Sequence, residues 1–299
     1  MISMKTYRII TDGSCDMPAS LAKEKRVTVV PFYVTMDEKT YIKENVDIYK
    51  TDFYKWMVEN KGCYPKSSTP SVQDYLDVFT EAAEAGEDVI CICITRKFST
   101  SFESAQMAAD MLAEAHPDCR VTVINAMVNT VLQALLVLEA VKLRDKGVDY
   151  DECVRRVKAA RPSGRIFFTV GSIDYLRHGG RIGKLAGIAG TILGIRPLIT
   201  LKEGEIFPAG ITRSRQKSIE KVEALALDYV KENNWADKEY EMVVGYGYDY
   251  EEAVKFRDRI CGAFASMGHI LKVNIYHIGA AISVHTGPYP LGVGIIKHA

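Results

Sequence analysis

DVICICITRKFSTSFESAQMAADMLAEAHPDCRVTVIN, residues 88–125, is the stretch whose pattern decides the fold. It opens on a continuous apolar run, Asp88–Ile94, with no polar alternation, as expected of a strand covered on both faces. Ser101–Ala115 follows with helical spacing, and Arg120–Asn125 is a second short apolar strand. Strand, helix, strand at this spacing predicts a βαβ unit, hence a parallel sheet with helices on its faces.

The same alternation extends outward. Tyr7–Ile10 reads as a first strand ending in the turn-rich TDGSCDMP, and Val27–Val34 as another, with Pro31 marking an edge or an irregularity. Thr69–Ala85, Asn129–Lys146 and Tyr150–Ala160 read as helices. Arg161–Gly164 breaks the pattern and predicts a boundary between a domain at 1–163 and a second at 164–299. In the second part, strand Ile166–Val170 leads into helix Ile173–Arg177. A hairpin follows at Leu198–Leu201 and Ile206–Ala209 across KEGE, then helix Ser214–Glu232, strand Glu241–Tyr246, helix Tyr250–Ser266 and strand Leu271–Tyr276. Two closing strands are expected at Ala280–Val284 and Gly292–Lys297. The fold class is therefore α/β: an α/β/α domain on a parallel sheet, then a smaller α/β domain on a mixed sheet.

Composition narrows the function. Lys and Arg total 38, balancing 38 Asp and Glu. No overall field attracts nucleic acid or an anionic membrane, so any electrostatic role must be local. The longest apolar candidate, Thr130–Val141, is interrupted by Gln133 and Glu139, so no stable membrane insertion is expected. No signal-peptide pattern opens the chain, which predicts a cytoplasmic protein. Seven cysteines without CxxC or zinc spacing fit reduced thiols, and Cys91 and Cys93 fit small hydrophobes in a core strand.

Tyr175–Pro197, YLRHGGRIGKLAGIAGTILGIRP, sets Arg177, Arg181, Lys184 and Arg196 around a Gly-Gly pair and continues into small apolar residues. Charge followed by apolar surface suits a ligand with an anionic head and an apolar body. Leu185–Leu193 reads either as a lining for such a body or as a packed core helix.

Ligands of parallel sheets bind at the carboxyl ends of strands, where Thr11–Pro18, Cys63–Ser71 and Thr95–Ser101 lie. Thr100-x-x-Glu103 has the form of a capping box and sets Ser99 beside a helix start, where free N–H groups favour an anion. Ser67-Ser68-Thr69-Pro70-Ser71 is a second hydroxyl cluster. Each cluster alone is accounted for by capping; two together can converge on one carboxylate or phosphate. Asp12 and Asp16 lack a third carboxylate or nearby histidine for a metal, which favours turn and capping roles, with Asp12 orienting the site loops. His285, followed by Thr286, precedes a Gly-Pro turn; it reads either as a structural histidine or, beside a hydroxyl, as a donor to an oxyanion. No GxxxxGK[ST], GxSxG, HExxH or complete GxGxxG is present, so anion-binding donors outnumber catalytic groups.

In ITDGSCDMP (10–18), KSSTPS (66–71), FSTSFESA (98–105), VLEA (137–140), YLRHGGRIGK (175–184), ILGIRPLIT (192–200), HTGP and LGVG, the chain resembles the DegV family of bacterial fatty-acid-binding proteins from end to end. The resemblance implies two domains with a long-chain fatty acid between them and no metal or other cofactor. It also implies a carrier without turnover that presents the carboxylate to a separate fatty-acid kinase, the acyl-phosphate feeding phospholipid synthesis. By motif, Ser67 stands where the family usually has threonine. Ser67 and Ser99 would hold the carboxylate, with His285 and Thr286 at the same pole and Arg181 supplying positive charge. Thr95-Arg96-Lys97 departs from a usually serine- and glycine-rich loop, and its cations would either tighten anion binding or alter kinase docking. Arg196 replaces a usual lysine. The rival expectation is an enzyme acting on a phosphorylated or carboxylated small molecule, with His285 or Asp12 as acid or base.

Overall fold

The computed structural model describes residues 5–187 and 194–299. The first half opens with strand β1 (Tyr7–Asp12), helix α1 (Ala19–Glu24) and strand β2 (Val27–Val30). Pro31 then ends the run that the sequence presents as one strand. The chain re-forms as β3 (Tyr33–Thr35) in a different sheet, paired with β4 (Ile42–Lys43) and, beyond helix α2 (Lys50–Glu59), with β5 (Lys66–Ser68). A proline has no N–H for the ladder, so a sheet change falls naturally there. Helix α3 (Val72–Glu84) starts one turn later than expected, because Ser71 and Asp74 form a reciprocal capping box. Strand β6 (Asp88–Cys93), helix α4 (Ser101–Ala115), strand β7 (Val121–Asn125) and helices α5 (Thr130–Asp145) and α6 (Tyr150–Ala160) complete this half.

The first sheet is wholly parallel, in the order β2-β1-β6-β7. Every residue of β6 is buried, as its unbroken apolar run requires. Helix α5 is buried on nearly all sides because it lies between this sheet and the second one, touching both. Its two polar interruptions are used there. Gln133 donates to Thr11, Asp12 and the Ile92 carbonyl, and Glu139 accepts from Lys142, His298 and the Ala299 N–H.

The second half contains β8 (Arg165–Thr169), α7 (Asp174–His178), β9 (Arg196–Lys202), β10 (Glu205–Thr212), α8 (Arg215–Glu232), β11 (Tyr240–Tyr246), α9 (Tyr250–Ala265), β12 (Asn274–His277), α10 (Ala280–Thr286) and β13 (Leu291–Lys297). Its sheet runs β10-β9-β8-β13-β11-β12 and is mixed, antiparallel except for β11 beside β12. The β9–β10 hairpin turns at Glu203-Gly204, both with positive φ (53° and 82°), as two-residue hairpin turns demand. That tip docks on the first half, where Thr95 Oγ1 donates to the Gly204 carbonyl at 3.0 Å. The chain is thus α/β, with a parallel four-stranded sheet and a separate mixed sheet.

One element differs in kind. Ala280–Val284, expected as a strand, is the body of helix α10. Its β-branched residues favour a strand locally, but propensity is a weak prior. Buried carboxylates from the first half accept the N–H groups at its start and stabilise the helix instead.

Candidate functional site

The loops at the carboxyl edge of the parallel sheet are held by Asp12. Its buried carboxylate accepts from Ser14 Oγ (2.6 Å), Ser101 Oγ (2.7 Å), the Ile94 N–H (2.9 Å) and Gln133 Nε2 (3.0 Å). Burial pushes its pKa up while these donors pull it back. Ile94 and Ser101 bracket the loop carrying Ser99, so Asp12 orients that loop, and it does not line the cavity described next.

A cavity lies between this edge and the inner face of the mixed sheet. Its body is apolar, with Ile94, Val131, Phe168, Leu176, Leu201 and Ile282 on its walls. Most of its polar side chains form one pole, with Ser67, Thr69, Ser99, Arg181, His285 and Thr286; Asn129 and Thr130 also line it, the Thr130 hydroxyl being spent on Asp16. On β5 and beyond it the side chains alternate, so Ser67 and Thr69 face the cavity while Ser68 is exposed and Ser71 caps α3. Ser99 Oγ accepts from the Ser101 N–H (3.2 Å), which leaves its own hydrogen free for an acceptor in the cavity. The expected capping box at Thr100 and Glu103 is not formed. Thr100 makes no side-chain cap, and Glu103 pairs with Arg96 at 2.6 Å, the stronger partner for a carboxylate.

His285 and Thr286 reach the pole from the last turn of α10. His285 Nε2 lies 3.3 Å from Ser67 Oγ, while its buried Nδ1 has no partner among the described residues. Burial, and then the charge of Arg181, hold its pKa down at about 4, so at neutral pH it is a hydrogen-bonding group and not a cation. Thr286 Oγ1 donates to the Ile282 carbonyl (3.3 Å) within its own helix. Gly179 packs against the ring: a Cβ there would stand 2.1 Å from His285 Nδ1 and 3.0 Å from the Tyr175 carbonyl. Gly179→Ala is expected to displace the imidazole and cost about 1–3 kcal/mol of stability. Thermal unfolding would show the loss, and an unchanged melt with an unshifted His285 NMR resonance would refute this account.

The start of α10 is clamped by two acids of the first half. Asp16 accepts from the Gly279 N–H (2.7 Å) and from Thr130 Oγ1 (2.6 Å), and Glu44 accepts from the Ala281 N–H (2.9 Å). Lys50 Nζ, 3.7 Å from Asp16, is the adjacent cation, and Glu44 Oε1 has no partner among the described residues. Burial and then the charge of Asp16 raise the Glu44 pKa from 4.5 to about 8; burial raises that of Asp16 from 3.8 to about 6. A carboxyl raised in this way favours folding most below its unfolded pKa and loses that contribution as pH climbs through the folded value. Stability should therefore fall between about pH 4.5 and 8, and Glu44→Gln, which keeps an acceptor for Ala281, should flatten that fall. Melting temperatures of both proteins across this range decide the point; parallel pH profiles would reject it.

The cations of Tyr175–Pro197 do not act together. Only Arg181 turns into the pole. Its Nε and Nη2 donate to the Phe98 carbonyl (3.1 and 3.0 Å) and its Nη1 to the Gly179 carbonyl (2.7 Å), bridging the two halves, and no carboxylate pairs with it among the described residues. Arg177 pairs with Asp174, Lys184 with Glu205, and Arg196 donates to the Gly171 carbonyl. Of Arg96 and Lys97, the first stacks on Phe102 and the second pairs with Glu205. Both line an open groove next to the pole, with Gly183 and Lys184 across from them. Leu185 is fully buried, whereas residues 188–193 of the expected lining lie outside the described residues.

Among the described residues, Glu139, Glu241 and His298 stand close enough together to hold an ion, but the Lys142 ammonium already pairs with both carboxylates. Sequence reading missed the Asn129–Val131 wall, although it lies after a β7 strand just as the three named loops follow theirs. It also missed Glu44 and Ile278, whose roles depend on contacts across the chain.

A profile described as "Uncharacterised protein, DegV family" matches residues 6–298. A DegV domain-containing protein of Caldanaerobacter subterraneus subsp. tengcongensis is 30% identical over 292 residues, covering 97% of this chain and 98% of its own. A solved stearic-acid-binding protein from Eubacterium ventriosum superposes with a TM-score of 0.92 at 40% identity, over 98% of this chain and 99% of its own. A fatty-acid-binding DegV family protein from Thermus thermophilus gives 0.87 at 26%, with the same coverage. With the match running through both sheets and every loop of the polar pole, the chain belongs to the DegV family.

Proposed function

We propose that this protein binds a long-chain fatty acid, with its carboxylate at the pole formed by Ser67, Ser99, Arg181, His285 and Thr286 and its acyl chain in the apolar cavity. The observation that carries the reading is Arg181: a guanidinium with no carboxylate partner among the described residues, set with hydroxyls at one end of a cavity whose walls are mainly apolar. A cation there invites a bound anion, and each buried methylene adds about 0.8 kcal/mol. The Eubacterium ventriosum relative, which binds stearic acid, supports the same ligand class. In this reading residues 1–163 supply the carboxylate loops and residues 164–299 cover the acyl chain.

The protein has no turnover of its own and presents the carboxylate to a separate fatty-acid kinase. The open groove beside the pole supports this, since it gives a phosphoryl donor an approach to the head group past Lys97 and Lys184. The acyl-phosphate then enters phospholipid synthesis, in the cytoplasm. Among the described residues no helix is long and apolar enough to cross a membrane. An enzyme using Asp12 is disfavoured, because Asp12 is buried behind the loop with its oxygens occupied. Organic extracts of the purified protein should contain close to one fatty acid per chain by mass spectrometry. Empty protein that also fails to take up added fatty acid would sink the proposal.

A further inference from the structure

The cavity crosses the strands of the mixed sheet instead of running along them. Ile206 on β10, Leu201 on β9, Phe168 on β8, Gly292 on β13 and Gly245 on β11 all line it, one strand after the next. Ile206 marks the polar end, because it also borders the outer groove with Ser99 and Arg181. Gly245 is therefore the far end. It pairs directly with Gly292, which in turn pairs with Phe168.

The two glycines differ in what requires them. Neither has a positive φ, so the backbone conformation would accept any residue. A Cβ on Gly292 would stand 2.4 Å from Phe168 Cβ and 2.6 Å from the Phe167 carbonyl, so strand packing alone demands glycine there. At Gly245 the neighbours are side-chain ends: Val131 Cγ2 at 3.0 Å and Ile278 Cδ1 at 3.5 Å. Glycine inside a strand weakens it and marks a place where something approaches closely. Val131 and Ile278 both line the cavity and close over this point.

Resting on the fatty-acid reading above, we propose that the acyl chain lies across the strands from Arg181 to Gly245, and that Gly245, Val131 and Ile278 form the stop that sets acyl-chain length. From β10 to β11 there are four inter-strand steps of about 4.8 Å, roughly 19 Å in all. An all-trans alkyl chain advances about 1.25 Å per C–C bond, so a span of about 19 Å takes about fifteen bonds, an acyl chain of about sixteen carbons. The preferred ligand is thus a straight chain near that length, and its methyl end meets Val131 of the first half. Chain-length selection depends on how closely α5 sits on β11.

Binding of a graded series of saturated straight-chain fatty acids to wild type, Gly245→Val and Val131→Ala tests the stop. Gly245→Val should shift the best-bound acid shorter by about two carbons and weaken the wild-type optimum about fourfold for each displaced methylene. Val131→Ala should shift it longer. If Gly245→Val does not fold, as judged by a cooperative melt, Val131→Ala decides alone. Folded variants that keep the wild-type optimum overturn the length stop while leaving fatty-acid binding intact. Wild type that binds no acid of any length overturns the fatty-acid reading itself, and the stop with it.

Discussion

Asp12→Ala is expected to lower folding stability by about 2–5 kcal/mol, because four buried donors lose their acceptor together. Ser14, Ser101, Gln133 and the Ile94 N–H all converge on this carboxylate, and three of them belong to different segments. Some would find water after the truncation, which keeps the cost below the sum of four separate losses. Asp12→Asn should also be harmful: its amide NH2 would face donors, whichever way it is turned. Urea unfolding of both variants tests this, and midpoints equal to wild type would mean the carboxylate is not what holds the loops. Fatty-acid affinity should fall as well, since the loop with Ser99 is tied down on both sides by the bonds that are lost.

Arg181→Ala is expected to weaken fatty-acid binding about ten- to a hundredfold, the range for a hydrogen bond to a charged group. Melting temperature should move less than affinity, since the bonds lost within the protein are to the carbonyls of Phe98 and Gly179 at an exposed position. Arg181→Lys should recover only part of the affinity. One ammonium cannot reach both carbonyls and still present a planar fork to a carboxylate. Titration with a fluorescent fatty acid, with circular dichroism to confirm folding, reads both effects. Affinity unchanged in the alanine variant would remove Arg181 from the head-group pole and with it the main support for the proposed ligand.

The elements with strong periodicity were legible in the sequence alone. Ser101–Ala115 and Tyr150–Ala160 form helices with those bounds, and the KEGE hairpin forms where its turn residues stand. What failed was local reasoning about segments whose partners are distant. Ala280–Val284 looks like a strand because Ile282 and Val284 alternate, yet Asp16 and Glu44, more than two hundred residues away, accept the N–H groups at its start and make it a helix. Thr100 and Glu103 have the spacing of a capping box, but Arg96 offers Glu103 a charged partner that a backbone N–H cannot match. The motif residues were likewise easier to find than to assign. Ser67, Ser99, Arg181, His285 and Thr286 do line one cavity, whereas Arg177, Lys184 and Arg196, equally prominent in the same stretch, are paired elsewhere.

The alternation from Asp88 to Asn125 determined a parallel α/β sheet by itself, because burial on both faces and right-handed crossovers leave few other arrangements. The residue types also determined that the protein carries anion donors beside apolar surface. Only the tertiary structure decided which donors meet. Ser67 reaches His285 across 218 residues and Arg181 reaches the Phe98 carbonyl across 83, and such contacts depend on how the two sheets pack around α5. It also set Gly245 on the cavity wall with Val131 and Ile278 beside it, a placement that no local reading of its strand contains.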